Sequence, residues 1–299
     1  MNFFKIALAL LLLTFSVLAE EVLKNPFLWK VEKENQSSYL FGTIHLPAPE
    51  LSVLPLKVKS AIEHCDGVRT ELDMGFMNQL KASQLMLRTD GKPLEKILSK
   101  ALYERTEKVL KDISPALNLK PFSQMKIWAL AAMVGLLEEQ MKNPTLIPID
   151  DIIFQYGEEH NKSVAGIETA EEQMNAFDAL TLNEQILFLE STLDYMEKYK
   201  DYLQTMKELY IKGNSKELLT FLNQSFEDKK YKKLEEKFFE ELLYKRNVIM
   251  AKRIDTLLKK DRKKSYFFAF GAMHFLDKKS VIEYLEGYGY KVTRVGENK

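Results

Sequence analysis

The sequence is poor in cysteine and shows no excess of charge of either sign. Cys65 is the only cysteine, so no intrachain disulfide can form and metal sites built on cysteine pairs are excluded. In its predicted helical setting, Cys65 is expected to be an inert core residue. Lysine plus arginine and aspartate plus glutamate both number 43, so the formal net charge is zero. A basic surface is typical of nucleic-acid-binding proteins, so no nucleic-acid partner is expected.

Several common catalytic signatures are also missing. The sequence contains no H-E-x-x-H pair, no P-loop, no G-x-S-x-G elbow and no dinucleotide-binding glycine pattern. These absences argue against the classes of enzyme that such motifs identify. Any catalytic site must therefore be assembled from residues that are distant in the sequence.

An apolar stretch opens the chain. Residues 1–5 include a lysine, residues 6–18 are almost wholly apolar, and Ala19 offers a small side chain at a cleavage position. This pattern is typical of an export signal, which predicts that residues 1–19 are removed and that the mature chain, 20–299, is periplasmic or secreted. The alternative is an uncleaved anchor, but the run is shorter than the roughly 20 apolar residues that a membrane span needs.

Two of the four histidines follow predicted strands in the same manner. Residues 266–270 form an aromatic, apolar run typical of a buried strand, and a Gly-x-x-His sequence leads from it to His274. Residues 39–41 lead through the same pattern to His45. Ligands bind at the carboxyl ends of strands in open α/β sheets, so the repeat predicts one shared site. A lone histidine at a strand end is more often structural, whereas two in matching contexts favour a function.

Acidic residues follow two further predicted strands. Residues 67–73 and 163–169 are interpreted as strands that carry Glu71 and Glu168 near their carboxyl ends. A salt bridge with a nearby Arg or Lys is the structural alternative for Glu71. A capping box accounts for Glu172 at the start of the next helix, and it leaves Glu168 without such an explanation. Asp150 stands at the start of the helix predicted before residues 163–169, and it is interpreted as the N-cap of that helix.

A long helix predicted over residues 228–260 carries two arginines within an apolar stripe. The stripe consists of Phe239, Leu242, Leu243, Ile249, Met250 and Leu257. A buried guanidinium is costly unless it is paired with carboxylates or an anionic ligand. Arg246 is therefore predicted to be a site residue or a partner of Glu71 or Glu168. Arg253 is assigned to a structural acid.

Two histidines with one or two glutamates at strand ends form a donor set suited to a metal ion. A two-histidine, one-carboxylate set leaves coordination positions open for water and substrate. A metal held there lowers the pKa of a bound water to about 7 and polarises a carbonyl group.

Motifs along the chain resemble those of the TraB/GumN family, which includes the Tiki metalloproteases. The resembling stretches, in family order, are Phe41-Gly42-Thr43-Ile44-His45-Leu46-Pro47, Thr70-Glu71-Leu72-Asp73, Gly166-Ile167-Glu168-Thr169 with Gln173, Arg246-Asn247 before Met250-Ala251, and Phe270-Gly271-Ala272-Met273-His274 before Gly287-Tyr288. They span nearly all of the mature chain. The stretch after His274 departs from the pattern, because many relatives have a glycine shortly after this histidine.

The resemblance implies an α/β fold like that of the erythromycin esterase and ChaN superfamily. In this fold a central mixed β-sheet is flanked by many helices, and residues 74–148 are expected to form a helical insertion. For the Tiki branch it implies divalent-metal-dependent proteolysis, with the metal ligands carried over to His45, Glu71 and His274.

Further matches to the family pattern predict catalytic residues and a substrate class. Glu168 would act as general base or further ligand, Arg246 would stabilise developing negative charge, and Asn247 belongs to the same group. The leading prediction is a metal-dependent hydrolase that cleaves peptide or protein substrates and uses Mn, Co or Zn. The alternatives are a metal-free esterase with a histidine base and a non-catalytic peptide-binding protein like the pheromone-shutdown namesake. Because every polar site residue of the motifs is kept, an enzyme is favoured.

Overall fold

The computed structural model describes residues 22–225 and 229–296. The predicted signal segment, residues 1–19, lies outside the described residues, so its cleavage and the export of the chain stay predictions. Among the described residues, no helix combines the length and apolar character needed to cross a membrane.

A mixed six-stranded sheet forms the centre of the fold, with the strand order β4-β3-β5-β2-β1-β6. Strands β2 to β5 run parallel to their neighbours within this set, whereas β1 pairs antiparallel with both β2 and β6. The predicted α/β class with a mixed sheet flanked by helices is therefore confirmed. The strands are β1 (Leu28–Lys33), β2 (Gln36–Thr43), β3 (Gly67–Thr70), β4 (Ser163–Gly166), β5 (Tyr266–Gly271) and β6 (Lys291–Arg294).

Helices cover the sheet and extend beyond it. They are α1 (Leu56–Glu63), α2 (Phe76–Leu85), α3 (Lys100–Ile113), α4 (Ile127–Lys142), α5 (Ile149–Glu159), α6 (Ala170–Asp178), α7 (Leu182–Lys198), α8 (Tyr202–Lys212), α9 (Ser215–Ser225), α10 (Lys232–Phe239), α11 (Lys245–Lys260), α12 (Met273–Leu276) and α13 (Val281–Gly287).

Strand β5 lies within the core, between β2 and β3. Residues 266–270 are all buried, which explains why this strand is a continuous apolar run without alternation. In the parallel pairing of β2 with β5, Thr43 lies opposite Gly271. The two Gly-x-x-His sequences therefore leave the sheet side by side.

Strands β3 and β4 are shorter than the sequence predicts. The predicted strands 67–73 and 163–169 end at Thr70 and Gly166, so Glu71 lies just past its strand rather than inside it. Two more backbone hydrogen bonds continue the pairing beyond the strand ends. The N–H of residue 167 donates to the carbonyl of residue 70 at 2.8 Å, and that of Glu168 donates to Glu71 at 2.9 Å. These bonds keep the two glutamates next to each other.

The helix predicted over residues 228–260 is present from Lys232 to Lys260, and it contains a π-helical turn. Residue 228 is outside the described part, and a π-helical turn (Glu240–Tyr244) separates α10 from α11. A π turn inserts an extra residue and rotates the following helix, so a stripe counted at 100° per residue fails across it. Leu242, Leu243 and Met250 are buried as expected, whereas Ile249 is 44% exposed.

The stretch expected as a helical insertion, 74–148, carries α2, α3 and α4. Apolar residues of α3 and α4 pack with α7 in a second core, distinct from the core around the sheet. Its description as an insertion within one domain stays a prediction.

Candidate metal centre

The carboxyl ends of four neighbouring parallel strands bring the predicted site residues together. His45 follows β2, Glu71 follows β3, Glu168 follows β4 and His274 follows β5. Nε2 of His45 lies 3.8 Å from Oε1 of Glu71, and Nε2 of His274 lies 3.5 Å from the same oxygen. The two histidines predicted to share a site therefore face one carboxylate oxygen.

Both glycines of the Gly-x-x-His sequences are explained by close approaches. A Cβ at Gly42 would lie 3.0 Å from Cα of Ala272, where the two strand exits meet. A Cβ at Gly271 would lie 3.2 Å from Oε1 of Glu71 and 3.2 Å from Nε2 of His45. Glycine at this second position leaves open the space that the facing donor atoms share.

Asn247 on α11 determines which nitrogen of His274 carries the proton. Its Nδ2 donates to the backbone oxygen of Lys279 at 2.9 Å, so its Oδ1 faces Nδ1 of His274, at 2.5 Å. An amide oxygen only accepts, so the network assigns the proton to Nδ1. Burial lowers the pKa of His274 to about 3, which keeps the ring neutral. Nε2 is then left with a free lone pair directed at Glu71.

His45 is held by a carboxylate that the sequence did not assign to the site. Its Nδ1 lies 2.9 Å from Oδ2 of Asp150, and Oδ1 of Asp150 accepts from Oγ1 of Thr43 at 2.5 Å. Asp150 raises the pKa of His45 to about 9. The prediction of Asp150 as a helix cap is wrong, because Pro148 is the N-cap and Asp150 lies inside the first turn of α5. An aspartate near a helix start is usually interpreted as an N-cap. In this sequence the only contrary signal is Pro148, which precedes the two aspartates and is itself the N-cap.

Glu71 is buried and has partners on both oxygens. Oε1 accepts from the backbone N–H of Gly271 at 2.7 Å, while Oε2 accepts from Nη2 of Arg246 at 2.7 Å and from Nε2 of Gln173 at 2.9 Å. Burial acts to raise the pKa of Glu71, but the guanidinium of Arg246, the imidazole of His45 and the backbone N–H of Gly271 outweigh it, and the pKa is lowered. The salt bridge considered for Glu71 exists, and it engages only one of its oxygens.

Arg246 also binds Glu168, as one of the sequence interpretations expected. Nε lies 3.2 and 3.1 Å from the two oxygens of Glu168, and Nη2 lies 2.6 Å from Oε2. The side chain of Glu168 is only 2% exposed. Burial raises the pKa of Glu168, and Arg246 counteracts this shift. With both oxygens engaged, Glu168 has a structural partner, and its role as general base stays a prediction.

Arg253 and Cys65 both have structural surroundings. Arg253 pairs with Glu172 at 2.5 Å, which confirms a structural acid as its partner. Cys65 is buried as expected, but it lies in the connection between α1 and β3 rather than in a helix. Burial raises its pKa to about 12, so the reactive thiolate is suppressed. His160, another of the four histidines, is exposed at the C-cap of α5 and stacks on Tyr156.

Within residues 22–225 and 229–296, no group of three or more His, Cys, Asp or Glu side chains is already arranged to hold a metal ion. Donors sharing a tetrahedral ion with bonds of about 2.1 Å lie about 3.4 Å apart. The separations from Glu71 Oε1 to His274 and His45, 3.5 and 3.8 Å, are only slightly wider.

The chemistry of the donor set fits a divalent cation. Two imidazoles and a carboxylate are ligands that Mn, Co and Zn all accept. Because residue 271 is a glycine, no side chain fills the space between the facing donor atoms. Three buried carboxylates, those of Glu71, Glu168 and Asp150, lie here with one buried guanidinium, that of Arg246, and with the imidazole of His45. When His45 is neutral, as a metal ligand must be, negative charge is in excess, and a bound cation would balance it.

Comparisons with known proteins identify the family of the chain. A profile of the TraB/PrgY/gumN family matches residues 27–294, and the chain belongs to this family. The chain is 26% identical over 311 residues to Metalloprotease TIKI1 of Xenopus tropicalis, a match that covers 90% of this chain and 61% of that protein.

Other relatives show similar values. Metalloprotease TIKI homolog of Nematostella vectensis is 25% identical, with 91% of this chain and 67% of that protein covered. Metalloprotease TIKI1 of Homo sapiens is 24% identical, with 90% and 61% covered. The chain thus spans about three fifths of the TIKI1 proteins that it matches, 61% in each of these two. No solved structure matches the chain significantly.

Proposed function

We propose that this protein is a metal-dependent peptidase in which His45, His274 and Glu71 hold a divalent cation. One observation carries the proposal: Nε2 of each histidine faces the same oxygen of Glu71, at 3.8 and 3.5 Å, while each Nδ1 has a partner elsewhere. The names of the TIKI relatives, all metalloproteases, support this class of reaction. The metal is proposed to be Mn, Co or Zn.

A bound cation of this kind would polarise the scissile carbonyl group and make a coordinated water acidic. The chain's own residues prepare the site for it. Asn247 keeps Nε2 of His274 free of a proton. Gln173 and Arg246 both donate to Oε2 of Glu71, which leaves Oε1 to face the two histidines. We propose that Arg246 acts mainly by fixing Glu71, since its guanidinium is already engaged with two carboxylates.

The surface beside the site supports a polypeptide substrate. Helix α2 begins a few residues after Glu71, and all of its residues are exposed or only partly buried. Phe76 is 77% exposed and Met77 is 70% exposed. Gln79 of α2 donates to Asp151 at 3.3 Å, which ties this helix to the start of α5 beside His45. Exposed apolar surface next to a polar site is typical of surfaces that bind a partner chain.

Export is part of the proposal and rests on the pattern of residues 1–19. A peptidase active on peptide or protein substrates outside the cytoplasm would need no nucleic-acid contact, in agreement with the zero net charge.

The pair formed by His45 and Asp150 is the observation behind a second candidate, the metal-free esterase with a histidine base. This candidate differs from the metallopeptidase in one measurable property, because its activity would not depend on a divalent metal. The non-catalytic peptide-binding protein differs from both candidates by the absence of any cleavage.

The test is metal binding by the purified chain 20–299, compared with His45→Ala and His274→Ala. Thermal melting with Mn²⁺, Co²⁺ and Zn²⁺ is expected to show stabilisation of about 2.7 kcal/mol at 100-fold excess over the dissociation constant, lost in both variants. A peptide library incubated with the metal-loaded protein is then expected to show cleavage that a chelator abolishes. Wild-type protein that is folded and unaffected by all three metals would overturn the proposal. Binding without cleavage of any peptide would favour the binding protein.

A further inference from the structure

Asp150 is a buried carboxylate with an unusual pair of partners. The residue is 2% exposed, and its two oxygens engage different side chains from the same strand exit. Oδ2 lies 2.9 Å from Nδ1 of His45, and Oδ1 accepts from Thr43 at 2.5 Å. A buried carboxylate is costly unless its charge and lone pairs are satisfied, so both contacts are needed to keep it there.

Helix capping does not account for this residue. Pro148 occupies the N-cap of α5, and no side chain caps the helix at this end. The positive end of the helix dipole favours an acid in the first turn, and Asp151 would provide that as well. Neither effect explains why the Asp150 side chain is directed towards His45 and Thr43.

We infer that Asp150, held by Thr43, is a positioning residue that fixes the ring and the proton of His45 so that Nε2 is presented to Glu71. A carboxylate only accepts hydrogen bonds, so it requires a proton on Nδ1 of His45. When the ring loses its second proton, as a metal ligand must, that proton leaves from Nε2, and the lone pair then lies on Nε2, 3.8 Å from Oε1 of Glu71. Asp150 does for His45 what Asn247 does for His274, with a negative charge in place of an amide.

The charge gives the two histidines different properties. A carboxylate behind a ligating imidazole makes it a stronger donor, and loss of such a partner typically costs 10- to 100-fold in metal affinity. His45 needs the firmer support because its side chain is 54% exposed, whereas that of His274 is 6% exposed. The buried histidine is held by its surroundings, and the exposed one depends on its hydrogen bond.

Asp151 offers a matched control. It follows Asp150 in the same turn of α5 and carries the same charge, but its side chain accepts a hydrogen bond from Gln79, at 3.3 Å. Asp151→Asn therefore changes the charge near His45 without touching the hydrogen bond. Asp150→Asn keeps an acceptor oxygen while losing the charge, and Asp150→Ala removes both. Thr43→Val removes the hydroxyl that holds the carboxylate.

The first experiment measures metal affinity and therefore rests on the proposed function. The chain 20–299 and its variants are titrated with Zn²⁺ and Mn²⁺ by calorimetry. We expect affinity to fall about 10- to 100-fold in Asp150→Ala, with partial recovery in Asp150→Asn and no change in Asp151→Asn. Apo-protein melting confirms that each variant folds. Wild-type affinity in a folded Asp150→Ala would overturn the inference.

The second experiment needs no metal. Long-range ¹⁵N–¹H spectra of histidine-labelled protein, recorded in alkali where each ring carries one proton, report which nitrogen holds it, and His45→Ala identifies the signal. We expect the proton on Nδ1 in the wild type and in Asp151→Asn, and on Nε2 in Asp150→Ala. An unchanged tautomer in Asp150→Ala overturns the inference. A tautomer switch in a protein that binds no metal supports the inference while refuting the proposed metallopeptidase.

Discussion

Arg246 and Glu168 form a buried pair in which Nε and Nη2 of the guanidinium donate to the carboxylate, at 3.1 and 2.6 Å from Oε2. Nη2 also lies 2.7 Å from Oε2 of Glu71. Removing the guanidinium would leave two buried carboxylates without their cation. We expect Arg246→Met to lower the free energy of unfolding by about 3–5 kcal/mol, measured by urea denaturation.

Arg253→Met is the control for that measurement. Its salt bridge with Glu172 is formed by side chains that are 36% and 41% exposed, and such pairs contribute about 1 kcal/mol or less. Equal losses in the two variants would contradict the assignment of Arg246 as the buried charge partner.

Glu168→Gln separates the two roles considered for Glu168. Because both oxygens bind Arg246, we expect the variant to weaken metal binding and to lower the melting temperature along with activity. A general base alone would lose activity with metal affinity and stability unchanged. Titration with Zn²⁺, melting and peptide cleavage on one protein preparation decide between these patterns.

Gly271→Ala places a methyl group between the proposed ligands. Its Cβ would lie 3.2 Å from both Glu71 Oε1 and His45 Nε2, so we expect the protein to fold and to bind metal at least 10-fold more weakly. Gly287→Ala is the matched control, since its Cβ would meet nothing within 4 Å in the described part of the chain. Metal affinity is read by calorimetry, and a wild-type value in Gly271→Ala would show that the cation lies elsewhere.

The pair of Glu172 with Arg253 predicts a specific dependence of stability on pH. The hydrogen bond from Arg253 lowers the pKa of Glu172 to about 2 from a usual value of 4.5. A depressed pKa means that the stabilisation is present above about pH 4.5 and is lost as pH falls towards 2. Since both side chains are more than a third exposed, the effect is about 1 kcal/mol or less.

Glu172→Gln tests this, because glutamine retains the capping box with Thr169. We expect the wild type to be the more stable at pH 6 and the two proteins to converge near pH 2.5, as measured by urea denaturation. A difference that stays constant over this range would refute the electrostatic origin.

Local patterns were sufficient to place several strands and to find four of the candidate site residues. The apolar run at residues 266–270 indicated a buried strand because a strand covered on both faces needs no alternation. The paired Gly-x-x-His sequences predicted that His45 and His274 meet, and the parallel pairing of β2 with β5 brings them together. Glu71 and Glu168 were found in the same way, by acids that follow strands.

Other features depend on contacts between distant segments. The extra residue of the π turn at Glu240–Tyr244 leaves no mark in the hydrophobic periodicity, so Ile249 was assigned to a buried face and is exposed. The pairing of Arg246 with Glu71 and Glu168 was left open, because the position of an arginine on a helix does not reveal which carboxylates pack against it.

Asp150 shows the division most clearly. By itself the sequence determined the histidine exits and the acids at strand ends, since each lies in a short window of apolar and polar residues, and its family motifs implied the α/β class. Only the tertiary structure decided that Asp150, at the start of α5, contacts His45 and Thr43. These contacts join residues that are 105 and 107 positions apart in the sequence. Hydrogen-bond direction and burial arise from the packing of whole elements, and a local pattern does not contain them.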